Sequence, residues 1–206
     1  MRVVCLLLIC AGACRMPAGA EVPLLTEELR IDFGSQIDPT VLASVGGSWR
    51  VENGVLRSLG EENRFPLWLQ RKVPDSFEVE FEMMGRDLPD GKLEFCGDGV
   101  RHESGYISIL GGWGNSLAVI AKEDEHETGR TRKKGKWDPG HWYQWKVRRS
   151  LHGGSGLIEW FLDGRPFMQR TDKKPLVGPG HDRLGFNNWK TDLHIRNIRV
   201  RPLKGR

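Results

Sequence analysis

The sequence predicts an all-β protein built as an antiparallel β-sandwich. Short runs in which apolar and polar residues alternate fill the chain, Gly, Asn and Asp separate these runs, and no helical periodicity persists over about twelve residues. The runs predict about a dozen strands at the spacing expected of a sandwich. No internal repeat or low-complexity linker divides them, so we expect a single domain over residues 21–206.

The runs with the clearest pattern place their apolar residues on one face. In residues 77–82 apolar side chains alternate strictly with glutamates, so the two kinds lie on opposite faces of a strand. Two later runs alternate in a similar way. The core residues predicted from the three runs are Phe77, Val79, Phe81, Tyr143, Trp145, Val147, Ile158, Trp160 and Leu162, and we add Trp49 to them.

Turn residues define several connections. Asn53-Gly54 and Asp163-Gly164 each separate two strand-like runs, as the two-residue turns of β-hairpins do. The segment 123–136 is charged and nearly free of apolar residues, which predicts a long mobile loop between strands.

The last predicted strand changes the face of its apolar residues. Leu193 and Ile195 share one parity, whereas Ile198 and Val200 share the other. A β-bulge near residues 196–197 would turn all four side chains toward the core.

The first twenty residues read as an export signal. Arg2 gives a short positive region, residues 3–13 form an apolar stretch too short to cross a bilayer, and Ala18-Gly19-Ala20 offers small residues for signal peptidase. We therefore expect cleavage before Glu21 and an exported, periplasmic or extracellular protein.

Cysteine and charge fit an exported domain. Of the four cysteines only Cys96 follows the signal, so no intramolecular disulfide is expected. A lipoprotein anchored at Cys14 is the weaker alternative, since no Leu stands three residues before it. The net charge of +4 falls to +2 when Arg2 and Arg15 leave with the signal, and the basic run in 130–136 follows an acidic run, which favours no nucleic-acid partner. No later segment is long and apolar enough to be transmembrane.

Several pieces of the chain match a known family in order and spacing. They are Trp49-x-Val51-x-x-Gly54-x-Leu56, residues 77–82, Gly105-Tyr106-x-x-Ile109-Leu110, Trp142 at the start of a strand, Phe161-Leu162-Asp163-Gly164, and residues 196–203. In these pieces the chain resembles the 3-keto-disaccharide hydrolase-like domains. The resemblance implies a jelly-roll β-sandwich of the concanavalin A-like lectin/glucanase type, with one concave sheet able to hold a sugar, in a family whose members are typically exported bacterial proteins.

The chain also departs from that family. Residues 93–99 stand where the family usually has an Asn-Ser-Gly segment, and residues 107–109 read Ile-Ser-Ile where it tends to have a Glu and a Gln in the cleft. Glycosidic cleavage needs polar groups placed for acid or base work. Two functions stay open: a carbohydrate-binding or glycoside-processing domain, which as an enzyme would be a hydrolase or lyase, and a non-catalytic domain that contacts protein or the cell envelope.

One strand offers candidate catalytic carboxylates. Glu78, Glu80 and Glu82 share a face, with successive members about 6.5 to 7 Å apart, a separation that suits paired carboxylates acting on a glycosidic bond. We assign the candidate acid or base role to Glu80 or Glu82, and Glu82 best matches the recurring acid of the family. The alternative is a solvated outer face of an antiparallel sheet.

Two tryptophans are candidate sugar platforms. Trp113 lies among glycines that cannot bury it, beside the amide of Asn115. Trp189 shares its predicted face with Arg183 and Asn187 if the intervening apolar residues point inward. An indole packs against the C–H-rich face of a pyranose while amides bind hydroxyl groups, so an oligosaccharide or glycoside is the expected partner. The alternative is that each tryptophan caps an edge of the sandwich.

No cofactor and no metal site are expected. The six histidines lack ligand spacing, one cysteine remains after processing, and Asp98 between glycines is a single acidic residue in a turn. The oligomeric state and the identity of the sugar stay open.

We predict that mass spectrometry of the exported protein finds an N-terminus at Glu21, because signal peptidase cleaves after small residues such as those ending at Ala20. A lipid-modified N-terminus at Cys14 would contradict this assignment and place the protein on a membrane surface.

Overall fold

The computed structural model describes residues 21–60, 65–127 and 131–204, so the predicted signal peptide lies outside the described residues. No helix in these ranges is long and apolar enough to cross a membrane. The elements, in chain order, are β1 (Leu29–Ile31), β2 (Leu42–Ala43), β3 (Trp49–Glu52), β4 (Val55–Leu59), β5 (Leu67–Leu69), β6 (Phe77–Gly85), β7 (Gly91–Gly97), β8 (Tyr106–Gly111), α1 (Gly112–Asn115), β9 (Leu117–Lys122), β10 (Arg132–Lys134), β11 (Tyr143–His152), β12 (Ser155–Leu162), β13 (Arg165–Asp172), β14 (Arg183–Asn188) and β15 (Asp192–Pro202).

The strands form two antiparallel sheets, which confirms the predicted all-β sandwich. The eight-stranded sheet has the order β13-β12-β11-β6-β15-β4-β3, and β1 also pairs with β15. The seven-stranded sheet has the order β10-β9-β8-β7-β14-β5-β2. Strands that are neighbours in a sheet are often distant in sequence, so the sheets assemble residues from the whole described chain.

The main hydrophobic core lies between the sheets. Phe81 of the eight-stranded sheet contacts Trp145 at a ring-centroid distance of 5.3 Å and Phe186 of the seven-stranded sheet at 5.2 Å. Trp160 packs on Trp145 at 4.3 Å. The inward faces predicted for the three alternating runs are confirmed, but Trp49 is only partly buried, because its strand is at the edge of its sheet.

Both predicted hairpin turns are confirmed. Asn53 and Gly54 have φ of 52° and 74°, and Asp163 and Gly164 have φ of 50° and 74°. Positive φ at both central residues is the feature of type I′ turns, whose twist matches that of the flanking strands.

The predicted bulge in β15 is also confirmed. The register with β6 shifts between Arg196 and Arg199, and Asn197 has φ of 56°. As a result the apolar residues on both sides of the bulge point inward and are buried: Leu193, Ile195, Ile198 and Val200. One edge of β15 pairs with β4 before the bulge and with β1 after it.

The prediction of a long loop over 123–136 is wrong in part. Residues 132–134 form β10, which pairs with β9 as the last strand of the seven-stranded sheet. All three β10 residues are exposed and basic, and such charged edge strands need no apolar face. Short strands of this kind also explain why the structure has more strands than the dozen predicted.

We predict that Trp145→Ala and Trp160→Ala each lower the free energy of unfolding by about 3 to 5 kcal/mol, because both rings fill the core. Urea denaturation followed by circular dichroism measures the effect. Trp142→Ala is the matched control, since that ring contacts His194 and Arg196 outside the main core, and we expect it to cost less. Changes below about 1 kcal/mol at both core sites would contradict the assignment.

Candidate functional site

The central strands of the seven-stranded sheet are buried on both faces. Every residue of β7 and β8 is buried. Leu93 and Phe95 of β7 enter the main core, so Lys92 and Glu94 point to the outer face. Asn187 of β14 lies opposite Lys92 in the pairing of the two strands. A separate apolar cluster occupies β8 and β9: Ile107, Ile109, Val119 and Ala121, with Leu117 packed against it.

Glu94 connects the sheet to the loop between β7 and β8. Its Oε1 lies 2.7 Å from Nδ1 of His102 and accepts a hydrogen bond of 2.7 Å from Nδ2 of Asn187. The backbone N–H of Glu103 donates to its other oxygen. A carboxylate so deeply buried is tolerable because its oxygens are hydrogen-bonded.

Glu125 makes the corresponding connection for the segment after β9. Its Oε2 lies 2.5 Å from Nζ of Lys92 and 3.4 Å from Nε2 of His102. Its backbone N–H donates a 2.6 Å hydrogen bond to Glu103. His102 is therefore held between two carboxylates, one from the sheet and one from a loop.

We name these residues the outer-face cluster: Lys92, Glu94, His102, Glu125 and Asn187. Burial lowers the pKa of His102, but the hydrogen bonds to Glu125 and Glu94 outweigh it and raise that pKa to about 9. Burial raises the pKa of Glu125, but the hydrogen bond from His102 and the charge of Lys92 bring it down to about 2. His102 and Glu125 are therefore both charged at neutral pH.

A cleft of ≈ 380 Å³ opens beside this cluster. Trp113 and Trp189 both line it, together with Asp90, Lys92 and Glu125. The two tryptophans come from turns far apart in sequence, and the fold brings them to one cavity.

The turn that carries Trp113 is tight and left-handed. Trp113 has φ of 52° and ψ of 53°, a conformation that a bulky residue rarely adopts. The side-chain amide of Asn115 donates to the carbonyl of Trp137 at 2.7 Å and accepts from its N–H at 3.0 Å, which pins the turn. Trp113 is 38% exposed, and the centroid of its ring lies 5.9 Å from that of His126. Held in this way, the indole faces the cleft instead of the core.

Trp189 lies on the turn between β14 and β15. Asn188 donates to the carbonyl of Thr191, and the Thr191 hydroxyl donates to the carbonyl of Leu88 at 2.5 Å. These bonds fix the turn against the segment that precedes β7. The ammonium of Lys92 lies 5.8 Å from the centroid of the Trp189 ring, within cation–π range.

Asp90 stands between the two turns. Its carbonyl accepts a hydrogen bond from the backbone of Trp189, and its Oδ1 lies near Gly112. The side chain is buried, and Oδ1 has no hydrogen-bond partner among the described residues. Burial raises the pKa of Asp90 to about 7, with the charge of Lys92 lowering it and that of Glu125 raising it.

Comparisons with solved structures give the fold a name. An alginate lyase, Aly36B, superposes with a TM-score of 0.60 at 11% identity over 90% of this chain and 100% of its own. The exoplasmic/lumenal domain of VIP36, bound to Ca²⁺ and Man3GlcNAc, gives 0.59 at 12% identity over 83% and 87%. Lectin II from Ulex europaeus gives 0.59 at 11% identity over 85% and 99%. The fold is that of the concanavalin A-like lectins and glucanases.

The predicted concanavalin A-like architecture is thereby confirmed. Neither a scan of protein-family models nor a search of curated proteins found a match to this chain. The resemblance to 3-keto-disaccharide hydrolase-like domains stays a prediction.

Only some of the predicted sugar-binding residues lie at the cleft. Trp113 and Trp189 share the cleft, and Asn187 belongs to the adjoining outer-face cluster. The side-chain amide of Asn115 is hydrogen-bonded to the backbone of Trp137, so Asn115 holds the turn that carries Trp113 instead of facing a ligand. Arg183 lies at the other end of β14, about 20 Å along the strand from Trp189 at the usual rise per residue, where it donates to the carbonyl of Leu69.

The candidate catalytic residues Glu80 and Glu82 lie on the other sheet. Glu80 pairs with Lys146 at 2.8 Å and Arg199 at 2.5 Å. Glu82 pairs with Arg196 at 2.7 Å and accepts from Asn197 at 2.8 Å. Burial raises both pKa values, but these partners outweigh it and hold them below the usual range.

A larger groove of ≈ 600 Å³ runs over these paired charges. Its carboxylates, Glu80 and Glu82, are both compensated by cations and stay ionised, so neither holds a proton at neutral pH for a departing sugar. The smaller cleft has the two indoles and an uncompensated carboxyl group, which makes it the better candidate site. The assignment of catalysis to Glu80 or Glu82 stays a prediction, but this geometry does not favour it.

Sequence reasoning missed the charged residues of the better site. Lys92 and Glu94 alternate with Leu93 and Phe95, and that alternation was the available signal for a strand with a charged face. Glu125 lies in the segment 123–136, whose composition predicts a long mobile loop, and nothing local marks this residue as buried.

Three residues bring ligand-type atoms within 4.8 Å of one another: His102, Glu103 and Glu125. The ammonium of Lys92 already compensates Glu125 at 2.5 Å. A metal ion would have to displace this ammonium and the proton on His102, so we do not assign a metal to the cluster.

We predict that the free energy of unfolding falls as the pH rises from about 7.5 to 9. His102 has a pKa of about 9 when folded and a usual value of 6.5, so its stabilisation is full below 6.5 and is lost as the pH rises through 9. Asp90 also lowers the free energy of unfolding as the pH rises from its usual pKa of 3.8 to about 7, and this loss is complete before pH 7.5. Urea unfolding at several pH values measures the slope.

The control for this effect is His102→Gln, which keeps a hydrogen-bonding side chain but cannot be charged. We expect its stability to be flat across the same window. An equal slope in the variant would show that another group titrates there.

Proposed function

We propose that this protein binds an oligosaccharide in the cleft between Trp113 and Trp189. The observation that carries the proposal is that two indoles from distant turns line one cavity next to buried charged groups. Aromatic faces pack on pyranose rings, and the charged groups offer donors and acceptors for hydroxyl groups. The structural neighbours include an alginate lyase, a VIP36 domain bound to Man3GlcNAc and a lectin from Ulex europaeus, which are consistent with this use of the fold.

The finer form of the proposal is an exported glycoside-processing domain similar to the 3-keto-disaccharide hydrolases. The sequence pieces that carry the resemblance lie on β3, β4, β6, β8, β12 and β15, and the export signal predicted for residues 1–20 supports the location. Hydrolase or lyase chemistry would use groups of the cleft rather than the paired glutamates of β6.

The second candidate is a non-catalytic domain that contacts protein or the cell envelope. The observation that favours it is that Ile107 and Ile109, in the apolar cluster of β8 and β9, stand where the family that the chain resembles tends to have polar cleft residues. Those side chains are buried by neighbouring parts of the chain, so they offer less contact area than the cleft.

We predict that Trp113→Ala and Trp189→Ala each weaken oligosaccharide binding at least about fivefold, since a lost ring contact costs about 1 kcal/mol or more. Sugars are found on a glycan array and then titrated while Trp fluorescence is recorded. Trp142→Ala, on the opposite sheet, is the control and should leave the affinity unchanged.

A second variant separates binding from folding. Trp113→Gly removes the indole and suits the left-handed backbone, so the melting temperature should not fall. Binding by this variant at wild-type affinity, or a wild-type protein that retains no sugar on the array, would contradict the proposal.

A further inference from the structure

Asp90 is the one carboxyl group of the cleft for which no partner is visible within the described residues. It precedes β7 and lies between the turn that carries Trp189 and Gly112 beside Trp113. Asp90 lines the cleft although only 5% of the residue is exposed, and its buried Oδ1 has no hydrogen bond from the described chain. A buried carboxyl group without a partner is costly, and such groups concentrate at functional sites.

We propose that Asp90 is the catalytic acid of the cleft and donates a proton to the oxygen of a glycosidic bond held between the two tryptophans. The proposal rests on the proposed function, because it requires a sugar in the same cleft. It goes further in making the protein an enzyme and in naming the residue that carries the proton.

The charges around Asp90 suit this role. Lys92 is paired with Glu125, and Glu125, His126 and Lys190 also line the cleft. Burial and the nearby charge of Glu125 keep the pKa of Asp90 at about 7, whereas that of Glu125 is about 2. A carboxyl group whose pKa lies near neutral pH can carry a proton to a departing oxygen, whereas Glu125, paired with Lys92, stays ionised.

The reaction balances with water alone. Asp90 gives its proton to the glycosidic oxygen, and the bond from that oxygen to the anomeric carbon breaks with its electron pair passing to oxygen. Water then adds to the anomeric carbon and gives a proton to Asp90, which returns to its starting state.

The test compares the wild-type protein with Asp90→Asn. The probes are cellobiose and maltose, their 3-keto derivatives, and the corresponding 4-nitrophenyl glucosides and 3-keto-glucosides. A nitrophenolate departs without a proton, whereas a sugar alkoxide needs one. We expect kcat/KM for the disaccharides to fall at least about 100-fold, and that for the nitrophenyl glycosides to fall much less.

The pH profile gives a second readout. Wild-type kcat/KM for the disaccharides should decline as the pH rises through about 7, because the acid must be protonated, and Asp90→Asn should lack this decline. Asp87→Asn, an exposed carboxylate of the same loop, is the matched control. Fluorescence titration should show the same sugar affinity for Asp90→Asn and wild type.

Three results would overturn the inference: equal turnover by Asp90→Asn and wild type, loss of turnover in Glu80→Gln or Glu82→Gln instead, or a wild-type protein that binds a probe and cleaves none. These differ from a failure of the proposed function, in which no sugar binds at all.

Discussion

Buried charge on the outer face of the seven-stranded sheet constrains the loops that cover it. Lys92 and Glu94 cannot be removed from water alone, since an unpaired charge in a protein interior is strongly destabilising. They are satisfied by His102, Glu125 and Asn187, which come from two loops and a neighbouring strand. The loops are thus positioned by the need to pair these charges, and the cleft beside them takes its shape from where they lie.

The two sheets use their outer faces differently. On the eight-stranded sheet the carboxylates of β6 meet cations from its neighbours β11 and β15, and even buried Glu78 is paired with Arg148 and Arg201. Complete compensation gives a stable surface with ionised groups and little to offer a reacting molecule. On the seven-stranded sheet the charged residues of the outer-face cluster are paired, but Asp90 beside them has a buried Oδ1 with no hydrogen-bond partner among the described residues.

The two turns that line the cleft are held by side-chain hydrogen bonds that lie outside the hydrophobic core. Trp113 has a left-handed conformation in a turn that Asn115 holds by hydrogen bonds to the backbone of Trp137, and Thr191 fixes the turn of Trp189. Local strain that is maintained by specific partners points to a function for the residue that bears it. The concanavalin A-like fold supports this arrangement without dictating it, because sites vary in loops while the sheets persist.

The sequence by itself determined the features that depend on near neighbours along the chain. The alternation of apolar and polar residues predicted the inward faces of β6, β11 and β12. The Asn-Gly and Asp-Gly pairs predicted the hairpin turns, and the shift of apolar residues from odd to even positions predicted the bulge in β15. The site depended on neighbours that the sequence does not reveal. Glu125 meets Lys92 across 33 residues, and the burial of Asp90 comes from turns around residues 112 and 189. Only the tertiary structure decided which carboxylates are paired and which has a raised pKa, because pairing, burial and pKa depend on distances in space.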